Sequence, residues 1–170
     1  MPRQASELSS GIAKQLKTAE KLCSQRGRRL TPIRRKVLEI LLRRHRSVKA
    51  YELLEEIRQF QPGAAPPTVY RALDFLIDEG LIHRLDAVNA WAACMDAAGD
   101  PHDILVICTH CGAVAEFSDP ELHRKLARKV AGAGFILEHH ETELRALCNR
   151  CHQERHSPPR KRPEHKFRTN

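Results

Sequence analysis

Cys108-Thr109-His110-Cys111 and Cys148-Asn149-Arg150-Cys151 form two CxxC pairs in a chain of 170 residues that holds six cysteines. Two residues between thiolates let each pair bite one ion. A d¹⁰ zinc ion accepts four such sulfurs at tetrahedral angles, each about 2.3 Å away. Gly112, directly after the first pair, permits the tight knuckle turn such a site needs. A closed four-cysteine centre leaves no coordination position for substrate, so Cys108, Cys111, Cys148 and Cys151 predict a structural zinc and a binding protein rather than an enzyme. A zinc deaminase would instead keep a position open for water. A redox dithiol of the thioredoxin kind would set a CxxC at a strand-to-helix junction, and neither pair reads as standing at one.

The charge balance says what such a protein binds. There are 29 Lys+Arg against 21 Asp+Glu, a net +8, which favours a polyanionic partner without choosing between nucleic acid and anionic lipid. Arg26 to Arg46 carries nine basic residues and the single acid Glu39, whereas Ser157 to Asn170 carries five basic residues and Glu164. The first run reads as a patch on a folded element and the second as a disordered tail. No apolar run approaches the roughly 20 residues of a membrane span, and the opening Met-Pro-Arg-Gln-Ala-Ser lacks a signal-peptide core. The expected compartment is the reducing cytoplasm, where paired cysteines read as metal sites rather than disulfides.

Three short helices must position these groups. Thr31-Pro32 before Ile33, Val37, Ile40 and Leu41 supplies a cap, a first-turn proline and an apolar stripe. Ala50, Leu53, Leu54 and Ile57 repeat the spacing on a second helix whose cap is unclear. After Pro66-Pro67, residues Val69, Ala72, Leu73, Leu76 and Ile77 line a third helix that Gly80 ends, leaving Thr68, Tyr70, Arg71 and Asp74 facing outward. Leu81 to Leu85 and Ala90 to Ala93 flank the turn 86–89 as a small hairpin, and Ile12 to Arg26 predicts an extra leading helix. Helices followed by a hairpin describe a winged helix-turn-helix. Met95 to Pro101 reads as a linker. Beyond it come a strand at Ile104 to Ile107, another from Gly112 to Phe117, and a helix from Asp119-Pro120 to about Ala131. Phe135-Ile136-Leu137 then leads into a last strand ending at Leu147. Cys23 is expected as a buried helix residue, and His110 and His152 as exposed around the knuckles.

Arg29-Leu30-Thr31-Pro32-x-Arg34, Pro67-Thr68-Val69-Tyr70-Arg71-Ala72-Leu73 and the two CxxC motifs, in this order and spacing, resemble the ferric uptake regulator family of bacterial metal-dependent repressors over about Leu16 to Cys151. Within it, Pro66 to Leu76 is most similar to the zinc uptake regulators. The resemblance implies an α+β protein: a winged helix-turn-helix DNA-binding domain followed by a small α/β dimerisation domain holding the four-cysteine structural zinc. The expected boundaries are 1–94, a hinge at 95–103, a dimerisation and metal-binding domain at 104–153 and the tail at 154–170. It also implies a regulatory zinc on His83, Cys94, His102 and Glu116, making two zinc ions per protomer. One thiolate with two imidazoles favours zinc over harder ions. The family's third metal site would lose a carboxylate to Ile104, although His139 and His140 stand where it would recruit a histidine.

The third helix is then the recognition element. Arg71 can form a bidentate pair with guanine, while Arg34 and Arg35 neutralise phosphates and Thr68 lies on the same exposed face. By the resemblance, Tyr70 meets a thymine methyl or a phosphate and Tyr51 the backbone. The implied function is a zinc-responsive transcriptional repressor. As a homodimer it would bind pseudo-palindromic operators of zinc-homeostasis genes. The alternative is an iron, manganese or peroxide sensor of the same family.

Overall fold

Residues 3–97, 104–137 and 142–156 are described by a computed structural model. Four helices come first: α1 (Arg3–Gln25), α2 (Pro32–Arg44), α3 (Ala50–Phe60) and α4 (Pro66–Asp78). Thr31 is extended just before Pro32 at the first helical position, as the cap requires. The unclear cap of α3 is Lys49, whose backbone N–H donates to the Glu52 carboxylate at 3.2 Å. Gly80, at φ +68, closes α4 while the Leu81 N–H donates to the Leu76 carbonyl at 2.9 Å. The leading helix is longer than its apolar stripe suggested, because its polar first turns carry no periodic signal.

Val37, Ile40 and Leu41 of α2, Leu53 and Ile57 of α3, and Leu73 and Leu76 of α4 are buried together, with Leu16, Ala19 and Cys23 of α1 against them. Each large aliphatic side chain enclosed this way contributes about 1.5–3 kcal/mol. Phe75, outside the anticipated stripe, is also buried. Its ring is covered by the Arg34 guanidinium, 3.6 Å from the centroid, and by Arg28 at 5.0 Å. The hairpin follows, β1 (Ile82–Leu85) and β2 (Ala90–Ala93) joined by a 3₁₀ turn at Asp86–Val88.

The second group of elements is β3 (Ile104–Cys108), β4 (Val114–Phe117), α5 (Pro120–Gly132), β5 (Thr142–Ala146) and α6 (Asn149–His156). The sheet order is β4-β3-β5, antiparallel between β3 and β4 and parallel between β3 and β5. A parallel neighbour demands a crossover, which α5 supplies. Asp119 caps α5 by accepting from the N–H groups of Glu121 and Leu122.

Two expectations need correction. β4 starts at Val114 because Gly112, at φ +74, and Ala113 are spent on the knuckle, where both bond back to Cys108. The chain after the second CxxC is helical, so Cys148 to Cys151 does stand at a strand-to-helix junction, between β5 and α6. Its charged, weakly periodic sequence concealed that helix.

One face of the sheet carries Leu105 and Ile107, which pack with Leu85 and Ala92 of the hairpin. The other face and its surroundings leave Phe117, Leu122, Phe135, Ile136 and Leu144 exposed, and no residue of α5 is fully buried. Among the described residues no helix is long and apolar enough to cross a membrane. His102, His139, His140 and residues 157–170 of the expected tail lie outside the described residues.

Candidate metal centres and nucleic-acid interface

The thiols of Cys108, Cys111, Cys148 and Cys151 all lie within 4.8 Å of one another, and the Sγ atoms of Cys111 and Cys148 are 3.7 Å apart. Four sulfurs about 2.3 Å from a tetrahedral centre stand about 3.8 Å apart, so the donor set fits a zinc ion. The knuckle after β3 brings the first pair, and the start of α6 brings the second. The junction position of Cys148 does not make a redox dithiol here, because its sulfur sits against the opposite pair.

Backbone amides shape the centre electrostatically. The N–H groups of Cys111 and Cys148 pull the Cys108 thiol down to about 5, with burial working against them. Burial pushes Cys151 up to about 12, helped by the neighbouring sulfurs. Four crowded thiolates cannot all hold charge unaided. A cation bound among them would therefore release protons from the cluster as a whole.

A second group forms where the hairpin meets the sheet. His83 from β1, Cys94 just past β2 and Glu116 from β4 bring their ligand atoms within 4.8 Å of one another. His83 Nε2 and Glu116 Oε2 are 3.4 Å apart, with side-chain exposures of 8% and 6%. Nitrogen and oxygen ligands about 2.0–2.1 Å from a tetrahedral ion are separated by about 3.3–3.4 Å, so this trio also fits zinc. The burial pattern of β1 turns His83 inward and Arg84 outward. Glu116 also accepts from the Met95 N–H at 3.2 Å, and Cys94 N–H donates to the Leu81 carbonyl. These bonds orient the Glu116 carboxylate and the backbone of Cys94. Of the expected set, only His102 lies outside the described residues. His110 and His152 are exposed, as anticipated.

On α4, Arg71 is exposed, Tyr70 is 46% exposed and Thr68 is half-buried, while Tyr51 on α3 is 61% exposed. Arg71 makes no ion pair among the described residues, and Asp78 of the same helix lies 3.6 Å from Arg28. Tyr70 rests edge-on against Trp91, 6.0 Å between centroids, which steadies its ring.

The basic run is far less free than its sequence suggests. Arg26 and Arg28 both reach the buried Glu79 carboxylate, and Arg26 also donates to the Glu79 carbonyl at 2.8 Å. Arg35 pairs with Glu20 at 2.8 Å, Arg43 and Arg44 with Glu56, and Arg46 with Glu52. Arg34 stacks on Phe75 and donates to the Arg29 carbonyl at 2.9 Å. Glu79 as the organiser at the end of α4 escaped the sequence reading, because an acid's distant partners leave no periodic trace.

Residues 25–145 match the ferric uptake regulator family. The zinc uptake regulation protein of Escherichia coli (strain K12) is 39% identical over 137 residues, 80% of each chain. A zinc uptake regulator complexed with zinc and DNA superposes with a TM-score of 0.77 at 36% identity, covering 85% of this chain and 97% of that one. Holo XcZur gives 0.70 at 39% identity, covering 81% and 96%. Apo XcZur gives 0.50 at 38% identity, covering 84% and 99%.

Proposed function

This chain belongs to the ferric uptake regulator family, and from there we propose that it is a zinc-responsive transcriptional repressor binding pseudo-palindromic operators of zinc-homeostasis genes when zinc-loaded. The observation that carries the reading is the convergence of His83 from β1, Cys94 from the end of the hairpin and Glu116 from the sheet. Bound zinc would supply a cross-link between elements that otherwise meet only through packing and hydrogen bonds. The residues themselves select the ion: the Cys94 thiolate is a soft ligand beside an imidazole and a carboxylate, which suits zinc better than the harder ions of an iron or manganese sensor.

His102 is the proposed fourth ligand, and the four cysteines hold a second, structural ion, two zinc per protomer in all. The better superposition on holo than on apo XcZur supports reading this arrangement as the DNA-competent one. Arg71, Tyr70 and Thr68 on α4 enter the major groove, while Tyr51 and Arg35 meet the backbone. Arg34 serves the same surface chiefly by covering Phe75. The unit before Met95 reads DNA, residues 95–103 form the hinge, and the unit from Ile104 pairs with a second copy through the exposed Phe117, Leu122, Phe135, Ile136 and Leu144. Binding, not catalysis, is the chemistry proposed, and the reducing cytoplasm is its place.

The test is fluorescence anisotropy on a pseudo-palindromic, AT-rich operator with added zinc and with chelator. Tight, salt-sensitive binding in zinc alone is expected. Equal binding in both conditions overturns the zinc-responsive reading, and manganese or iron(II) outperforming zinc moves the protein to another branch.

A further inference from the structure

We propose that Glu143 is a positioning residue that clamps the hairpin turn onto the C-terminal sheet, a metal-independent counterpart to the Glu116 site; the inference rests on the zinc-responsive reading above. Register places Glu116, Leu105 and Glu143 in one row across β4, β3 and β5. Residues in a row share a face. That face meets the hairpin, where Leu85 and Ala92 pack on Leu105 and Ile107.

The two carboxylates grip opposite ends of the hairpin. Glu116 faces His83 and the Met95 N–H near the hinge. Glu143 reaches the turn itself, its two oxygens accepting from the backbone N–H groups of Asp86 and Ala87 at 2.8 Å each. These amides open the 3₁₀ turn Asp86–Val88, so the turn has no acceptor of its own for them. A carboxylate satisfies both through charge-assisted bonds with a defined direction. The Asp86 carboxylate is held by Arg84 at 2.8 Å, which offsets its repulsion of Glu143. A further tether joins the two halves at the knuckle, where Ser47 N–H donates to the Gly112 carbonyl at 2.7 Å.

Glu143 adds a hold at the turn to those made through Glu116 and the Ser47–Gly112 bond. With Glu143 holding the turn, closure of the His83–Cys94–Glu116 site is converted into a defined placement of α4. Without it, the turn end of the hairpin would be left to its apolar packing against Leu105 and Ile107.

The experiment compares the full-length, zinc-loaded wild type with Glu143→Gln and Glu143→Leu by amide hydrogen exchange and operator anisotropy. Gln keeps the shape but turns an NH2 group toward one amide, and Leu removes both acceptors. Faster exchange at Asp86 and Ala87, together with at least about fivefold weaker operator binding, the lower end of typical coupling between sites, is expected with zinc content and oligomeric mass unchanged. Unchanged exchange at these amides overturns the proposal, as does unchanged operator affinity when exchange is faster. A wild type that binds DNA alike in zinc and in chelator overturns the regulatory reading instead, and the clamp is then decided by the exchange measurement alone.

Discussion

In the proposed mechanism, Cys94 is the residue on which the metal response turns. It is buried at the end of the hairpin, and its proposed partners His83 and Glu116 come from other strands. Cys94→Ser should remove about one zinc per protomer, leaving the four-cysteine ion, because a hydroxyl is a far poorer zinc ligand than a thiolate. Zinc stoichiometry beside operator affinity checks this: the variant should bind DNA as the chelated wild type does. An unaltered metal count with full zinc response would remove the His83, Cys94, His102 and Glu116 assignment. On the DNA-reading face, Arg71→Ala should cost about 1–3 kcal/mol and blur preference at one base pair. Arg35→Ala should weaken all sequences alike and flatten the salt slope by about one unit. The ion pair of Arg35 with Glu20 does not forbid that role. Both side chains are more than 40% exposed, and such pairs contribute only about 0–1 kcal/mol, so a phosphate can compete. Measuring both variants across a salt series separates base reading from charge neutralisation.

The knuckle after β3 does two jobs with one glycine. Gly112 sits at φ +74 to turn the chain between the two ligand pairs, and a Cβ there would stand 2.7 Å from Ser47 Oγ. The hydroxyl can rotate away, whereas the left-handed backbone cannot be relieved. Gly112→Ala should therefore destabilise the protein by about 1–2 kcal/mol, seen as a lower urea midpoint. An unchanged midpoint would mean the knuckle relaxes freely. At the other end of the DNA-reading unit, Arg26 and Arg28 hold the Glu79 carboxylate at the end of α4 while Arg28 and Arg34 roof Phe75. The proposed recognition helix is thus seated by the same basic run that its composition assigned to DNA.

For the whole molecule, the exposed apolar side chains of the C-terminal unit are its unmet energetic demand. α5 has no fully buried residue, and Ile136 is 91% and Phe135 69% exposed. A second copy covering these side chains is the proposed remedy. Ile136→Lys should shift sedimentation from dimer toward monomer without lowering the thermal stability of the helical unit, because an exposed side chain contributes little within its own chain. Operator affinity should fall with it, as two half-sites can no longer be engaged together. A dimer of wild-type affinity would place the interface elsewhere.

The four cysteine ligands, the cap at Thr31-Pro32, the apolar stripes of α2 to α4 and the glycines at 80 and 112 were legible without coordinates. Each is a local matter: ligand spacing, backbone freedom and helical period act within a few residues. His83, Cys94 and Glu116 could be named only through family resemblance, since one histidine, one cysteine and one glutamate on separate strands have no spacing to read. Tertiary packing brought them within reach of one another. It also committed most of the basic run to Glu20, Glu52, Glu56 and Glu79, and set Glu143 under the hairpin turn. Periodicity reports which face of an element is apolar, but a charge finds its partner through contacts made across the fold, and those exist only once the elements have packed.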